Sequence, residues 1–206
     1  MQAVNSKMVA LPLMEHFYTI QGEGFHSGKA AYFLRLGGCN VGCTWCDVKE
    51  SWDTAQHPLV EIETMLQFVK ENHAVTCVIT GGEPMMHNLH SLTDMLKQNG
   101  VALHVETSGA YPVSGNWDWI TVSPKRFKKP LHECLAIANE LKVVVAHIND
   151  FRWAEEHAKM VGENCMLYLQ PEWSKSSELL PLVIDYVKQN PQWNISLQTH
   201  KFMNVP

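Results

Sequence analysis

The stretch Cys39-Asn40-Val41-Gly42-Cys43-Thr44-Trp45-Cys46 places three thiols within eight residues. Positions 39, 43 and 46 also fit one face of a helix, and free cysteine buries well in a core. The neighbours oppose that reading. Gly37, Gly38 and Gly42 each cost a helix about 1 kcal/mol relative to alanine, and Asn40 favours turns and caps. A loop is expected instead, in which glycines let the backbone wrap closely around a bulky ligand. Structural zinc takes four ligands, commonly as two C-x2-C knuckles. Only Cys43 and Cys46 form such a knuckle, and only His26 or His57 is at hand to complete a zinc site. Thiolates are the usual ligands of iron–sulfur clusters. Three of them on a four-iron cluster leave one iron open, as catalytic metal sites do. The rest of the chain is then expected to build a pocket above that iron.

Length and composition set the background. A chain of 206 residues can bury roughly 70% of its unfolded surface and needs no disulfide staples. Its 46% hydrophobic and 18% charged content is that of an ordinary globular protein. A net charge of −5 gives no basic footprint for nucleic acid. Three of the six cysteines are bunched too tightly for a secreted disulfide framework, and bunched thiols suit the reducing cytoplasm. Cys77, Cys134 and Cys165 sit singly in apolar stretches and are expected as buried thiols. Residues 1–12 show no leader pattern, and no run of 18 apolar residues suggests a membrane span.

Along the chain, short β-like runs alternate with amphipathic helical runs, the pattern of βα units around a mainly parallel sheet. Strands are expected at 13–20, 30–36, 75–80, 101–105, 119–122, 142–146, 165–169 and 195–198. Helices are expected from Pro58 to about 69, and over 87–98, 130–141, 149–161 and 176–189, with Pro181 in the early turns of the last. Glycine-rich or polar clusters follow these strands repeatedly. In parallel βα folds the carboxyl ends of the strands share one edge, where sites are built. Glu23, the cysteine loop, Glu83, Glu106, Ser123, Lys125, Gln170 and His200 are therefore expected to converge. About eight strands in this length are too few residues for a full eight-fold barrel. The expected architecture is an α/β abbreviated, partly open (β/α) barrel.

The C-x3-C-x-aromatic-C loop, with Trp45 as the aromatic, resembles the cluster motif of radical S-adenosylmethionine (SAM) enzymes, and Gly81-Gly82-Glu83-Pro84 resembles their GGEP motif. Within them the chain resembles the 7-carboxy-7-deazaguanine synthase family of the queuosine pathway, in its proteobacterial branch. The matching segments are Gln21-Gly22-Glu23-Gly24, Arg35 to Cys39, Glu106-Thr107-Ser108-Gly109, Ser123-Pro124-Lys125 and the ending from Gln198 to Pro206.

The resemblance implies one radical SAM domain over residues 1–206, its tail closing over the active site. It implies a [4Fe-4S] cluster on Cys39, Cys43 and Cys46. SAM would lie against Trp45, Gly81, Gly82, Glu83, Glu106, Ser108, Ser123, Lys125 and Gln170. The substrate, 6-carboxy-5,6,7,8-tetrahydropterin, would meet Gln21, Glu23, Arg35, Thr80, Thr107, His200 and Pro206. A 5′-deoxyadenosyl radical does the chemistry, so no side chain is expected as acid or base. Electrons would come from a donor such as flavodoxin or ferredoxin, and a homodimer is implied. The family follows its third cysteine with Asp-Thr, whose hydroxyl helps hold Mg²⁺. Here the pair is Asp47-Val48, and a valine offers no oxygen to a hard cation. Two other readings share the cysteine loop: a radical SAM activase making a glycyl radical on a partner protein, and a non-enzymatic iron–sulfur or zinc module.

Overall fold

In the computed structural model, residues 9–206 are described; most of the leader region considered above, residues 1–8, lies outside them. Nine strands form one sheet in the order β3-β1-β2-β4-β5-β6-β7-β8-β9. They are β1 (Ala10–Ile20), β2 (Ala30–Leu36), β3 (Leu59–Glu61), β4 (Thr76–Gly81), β5 (Ala102–Thr107), β6 (Trp119–Val122), β7 (Glu140–Val145), β8 (Met166–Pro171) and β9 (Trp193–Ile195). From β2 to β9 every pairing is parallel, while β1 pairs antiparallel with both β2 and β3. The sheet order has two ends, so the expected open, incomplete barrel is what the chain forms.

The alternation of side chains along the strands decides where the core and the site fall. Tyr32, Leu34 and Leu36 of β2 enter the main core, with Cys77 and Ile79, Leu103 and Val105, Ile120 and Val122, and Leu141, Val143 and Val145. Helices α1 (Ile62–Glu71), α2 (His90–Gln98), α4 (Asn149–Ala158) and α5 (Ser176–Gln189) cover that face with Met65, Val69, Leu92, Leu96, Phe151, Leu179 and Val183. The alternate residues face the concave side. There Ala31, Phe33 and Val78 make a small apolar floor with Phe17. The other concave positions are Arg35, Thr80, His104, Glu106, Thr121, Ser123, Glu140, Lys142 and Gln170. A parallel sheet buried on both faces reads as a nearly continuous apolar run; polar residues at every second position here mark a face turned to a cavity.

Several expected elements change. The helix expected from Pro58 begins only at Ile62, because Leu59–Glu61 pair with Ala10–Pro12 as an edge strand. The helix expected over 130–141 shrinks to α3 (His132–Ala136), since Glu140 and Leu141 are drawn into β7 beside Met166 and Leu167. The last strand lies earlier than expected, at Trp193–Ile195. A short helix α6 (Thr199–Met203) follows it that no periodicity announced, capped by Asn204 in the left-handed region at φ 55°. Helix α5 runs through Pro181 without a break, at the loss of one backbone donor.

Candidate active site

A cavity of about 280 Å³ opens over the carboxyl ends of the strands. Cys39, Cys43 and Cys46 all line it, as do Glu23, Arg35, Glu106, Ser123, Lys125, Gln170 and His200. Loops after β2, β4, β5, β6, β8 and β9 meet there because the parallel order brings their strand ends to one edge. Residues 21–23 join them although β1 runs antiparallel and ends beside the start of β2.

The cysteine loop is tied down from two sides. Gly38 N donates to Ser51 O at 2.6 Å, and Cys39 N to Trp52 O at 3.1 Å. Glu83 N donates to Gly38 O at 2.9 Å, which joins the loop to the end of β4. A Cβ on Gly82 would stand 2.4 Å from Gly38 O and 2.7 Å from Cys39 Cβ, so only glycine allows this approach. Burial pushes the Cys39 thiol up, and carries Cys43 to about 11 against the opposing charge of Lys125. Metal binding displaces such protons. Among the described residues, no three His, Cys, Asp or Glu side chains converge where a single metal ion would sit. The thiols line a cavity rather than closing on one atom. Three thiols on one cavity suit a cluster that spreads its sulfur ligands over several irons.

Glu83 departs from expectation. Its carboxylate is buried and takes Thr107 Oγ1 at 2.6 Å, Ser108 N at 2.8 Å, Met85 N at 3.1 Å and the Ser108 hydroxyl. It fastens the turn after β4 to the turn after β5 and does not line the cavity. The placement gives it a structural task rather than a free carboxylate for an amino group. The Thr107 and Ser108 hydroxyls are committed to it, although both residues border the cavity along with Thr80, Gly81 and Gly82.

Lys125 Nζ donates to Ser123 Oγ at 2.5 Å and sits 5.5 Å from the centre of the Trp45 ring. Burial pushes this ammonium down, with the charge of Cys43 opposing. A second cavity of about 290 Å³ adjoins the first and shares Trp45, Lys125 and Val144 with it. Gln170 is buried with its carbonyl accepting from Ser196 Oγ at 2.7 Å.

The same cavity is lined by a group the sequence reasoning missed. Lys142 of β7, its side chain 4% exposed, donates to Glu23 Oε2 at 2.5 Å and to Glu106 Oε2 at 2.8 Å. Gln198 Nε2 donates to Glu23 Oε1 at 2.8 Å, and Gln21 Nε2 reaches Glu106 Oε1 at 3.4 Å. Burial drives the Glu23 carboxyl up, but the charge and hydrogen bond of Lys142, with Gln198 and His200, outweigh it and hold Glu23 at about 2. Burial drives Lys142 down, and Glu106, Glu23 and Glu140 outweigh that and raise it. The signal was available. A charge inside an apolar strand needs a partner, an argument applied to Arg35 that holds equally for Lys142 in Glu-Leu-Lys-Val-Val-Val. Glu106, expected beside SAM, is joined to Glu23 through Lys142 and lines the same cavity as the cysteines. Arg35 borders the cavity, with its Nε 2.6 Å from Glu15 Oε1, so its charge is already paired.

Near the cysteine loop, Asp47 is 61% exposed and 3.3 Å from Lys201 Nζ, while Val48 carries its carbonyl towards Ser51 Oγ at 2.7 Å. These residues do not gather a set of oxygen ligands for Mg²⁺. His200 packs against Gly22, where an added Cβ would lie 2.1 Å from its Nδ1. Pro206 O accepts from Thr19 Oγ1 at 3.1 Å.

A three-cysteine loop and a glycine-lined strand end over one cavity of an open βα barrel define the radical SAM class. The Radical SAM superfamily model matches residues 34–123. The 7-carboxy-7-deazaguanine synthase of Flavobacterium psychrophilum is 54% identical over 95% of this chain and 93% of its own length. That of Synechocystis is 45% identical over 96% and 94%. The crystal structure of QueE from Escherichia coli superposes with a TM-score of 0.83 at 32% identity, covering 91% of this chain and 93% of its own. The chain belongs to the 7-carboxy-7-deazaguanine synthase family. Identity to the synthase of the proteobacterium Escherichia coli is lower, at 34%, so the identities do not reflect the expected leaning to the proteobacterial branch.

Proposed function

We propose that this protein converts 6-carboxy-5,6,7,8-tetrahydropterin to 7-carboxy-7-deazaguanine, with loss of ammonia, as a radical SAM lyase of 7-deazapurine biosynthesis. The observation that carries this reading is one cleft lined both by the three thiols and by the Glu23–Lys142–Glu106 group.

Cys39, Cys43 and Cys46 would hold a [4Fe-4S] cluster, and Gly81 and Gly82 would let the methionine end of SAM approach the backbone. Trp45, Lys125 and Ser123 border the cleft where the rest of SAM would lie, and Lys125 supplies a cation for its carboxylate. When bound, the reduced cluster and SAM supply the radical chemistry. The chain's own part is to bind, orient and exclude water. Glu23 presents an ionised acceptor, and Glu106 a second carboxylate, to the flat amino-bearing edge of the pterin. Arg35 stands at the same rim for its carboxylate, which would compete with Glu15. Gln21, His200 and Pro206 close the remaining side.

Any Mg²⁺ in this chain would be held through Asp47, water and substrate, because Val48 offers no side-chain oxygen. The continuous sheet supports one domain. Among the described residues no helix is long and apolar enough to cross a membrane. The composition supports a cytoplasmic enzyme, and the family likeness supports a homodimer fed by a flavodoxin or ferredoxin.

The test is anaerobic reconstitution followed by incubation with SAM, reductant and the carboxypterin, with and without Mg²⁺. About four irons per chain, with 5′-deoxyadenosine and 7-carboxy-7-deazaguanine formed, is the expected result. Zinc without iron, or SAM cleavage with no deazaguanine product, would overturn the proposal.

A further inference from the structure

We infer that Lys142 is a specificity-determining residue that fixes the hydrogen-bond polarity of the substrate edge of the cleft. The inference rests on the function proposed above and concerns a residue that lies in none of the motifs that suggested it.

The argument is a donor and acceptor count. The network holds three side-chain donors: Lys142 Nζ, Gln198 Nε2 and Gln21 Nε2. Each is aimed at a carboxylate oxygen of Glu23 or Glu106. The two amide oxygens are occupied as well. Gln21 Oε1 accepts from Glu23 N at 3.1 Å, and Gln198 Oε1 from Lys201 Nζ at 3.1 Å. An ionised carboxylate offers about four lone-pair sites. The hydrogen bonds above use two on Glu23 and two on Glu106. Each of the three donor nitrogens keeps one N–H unused, but the carboxylate face of this wall has only acceptors left to offer, about four lone pairs. A ligand edge facing it must be rich in N–H groups, as the 2-amino and ring N–H groups of a pterin are. An oxo group in place of the 2-amino group would meet a carboxylate with no proton between them.

Lys142 holds that polarity in place. Two half-buried carboxylates that share a site disfavour each other's ionised form unless a cation compensates, and without one a carboxyl takes up a proton more readily. A protonated carboxyl can donate, and the wall would then accept a carbonyl. The other charged or titratable groups around the network are Glu140 below it on β7, Lys125 after β6, and His200 and Lys201 on α6. None of these makes a hydrogen bond to Glu23 or Glu106, so among the described residues Lys142 is the cation in contact with both.

The experiment compares two ligands on cluster-loaded protein with SAM and no reductant, by anaerobic calorimetry. They are 6-carboxytetrahydropterin and its 2-oxo counterpart, the tetrahydro form of 6-carboxylumazine. The parent should prefer the amino compound by at least ~100-fold, as sites built around a donor group do. In Lys142→Met the amino compound should bind at least ~30-fold more weakly, as when a buried charge pair is broken, and the preference should fall below ~10-fold. Lys142→Arg, which keeps the charge, should keep the preference. Iron content and SAM affinity should be unchanged in all three proteins. If Lys142→Met does not fold, Lys142→Gln keeps one hydrogen bond without the charge, and the same collapse of preference is required of it.

An unchanged preference in the uncharged variants overturns the inference. So does loss of iron and SAM binding in step with the pterin, which would make Lys142 mere scaffolding. If the parent binds neither ligand, the proposed function itself fails. If the parent binds the pterin and discriminates but the variants discriminate equally, only the role of Lys142 fails.

Discussion

Glu140→Gln is expected to stabilise the protein at alkaline pH and leave it unchanged in acid. Glu140 opens β7, one strand step below Lys142 on the same face, and is 2% exposed. Its Oε2 accepts from Phe25 N at 3.1 Å and from Trp119 Nε1 at 3.2 Å. Burial pushes its carboxyl up, Lys142 pulls against that, Glu106 adds to it, and the result is about 7 against an ordinary 4.5. A carboxyl raised on folding gives stability that is complete below pH 4.5 and lost as pH rises through 7. At 1.36 kcal/mol per pH unit, that gap is worth about 3 kcal/mol. For a chain of this size it corresponds to about 7 °C in Tm. Glutamine carries no charge at any pH, and its carbonyl oxygen can take both donors now held by Oε2. Urea unfolding of the anaerobic, cluster-loaded protein at pH 5 and pH 8 measures the difference. Near-equal stability at pH 5 and a glutamine variant more stable by about 3 kcal/mol at pH 8 is the expected outcome. A difference that does not change with pH would refute the reasoning, because the ionisation of Glu140 would then not be the quantity at stake.

Gly82→Ala puts a methyl group 2.4 Å from Gly38 O, so the cysteine loop must shift. Iron analysis after reconstitution should show at least several-fold less cluster, with secondary structure by circular dichroism unchanged. Glu23 is held at about 2 against an ordinary 4.5. The stability its ionised form contributes is present above pH 4.5 and is lost as pH falls towards 2. The stability gap between the parent and Glu23→Gln should therefore narrow over that window in acid denaturation. A gap constant between pH 6 and pH 3 would contradict it.

The parts of the site readable from sequence were those whose chemistry is local. Three thiols in a glycine-rich loop announce a cluster wherever the chain takes them, and the polar residues after strands announce a common rim. Parallel topology then brings that rim together without further information. Lys142 was not readable in the same way. Its two partners lie 119 and 36 residues away, and nothing in their spacing links them. The turn-fastening bonds of Glu83 were hidden for a related reason. A carboxylate after a strand can face a ligand or tie two turns together, and only the register of β4 against β5 puts Thr107 and Ser108 within its reach. The edge strand Leu59–Glu61 was hidden because Pro58 and the apolar spacing after it fit a helix start as well as they fit an edge. Pairing with Ala10–Pro12 settles that choice, and it is a contact almost fifty residues distant in sequence.

The thiols and the carboxylates of the cleft are held by different parts of the chain, and α6 is what joins them. Lys201 reaches Asp47 beside the cluster loop at 3.3 Å and stands 4.8 Å over the Trp173 ring. Three residues earlier, Gln198 donates to Glu23. Thr199 closes the span through its N and Oγ1, both 2.9 Å from Gly22 O. A helix of five residues is too short to be stable by its own hydrogen bonds, so these contacts hold it as much as it holds them. The distance between thiols and carboxylates is therefore set by the tail as well as by the sheet. Lys142 fixes what the carboxylates present, and α6 fixes how far they stand from the cluster.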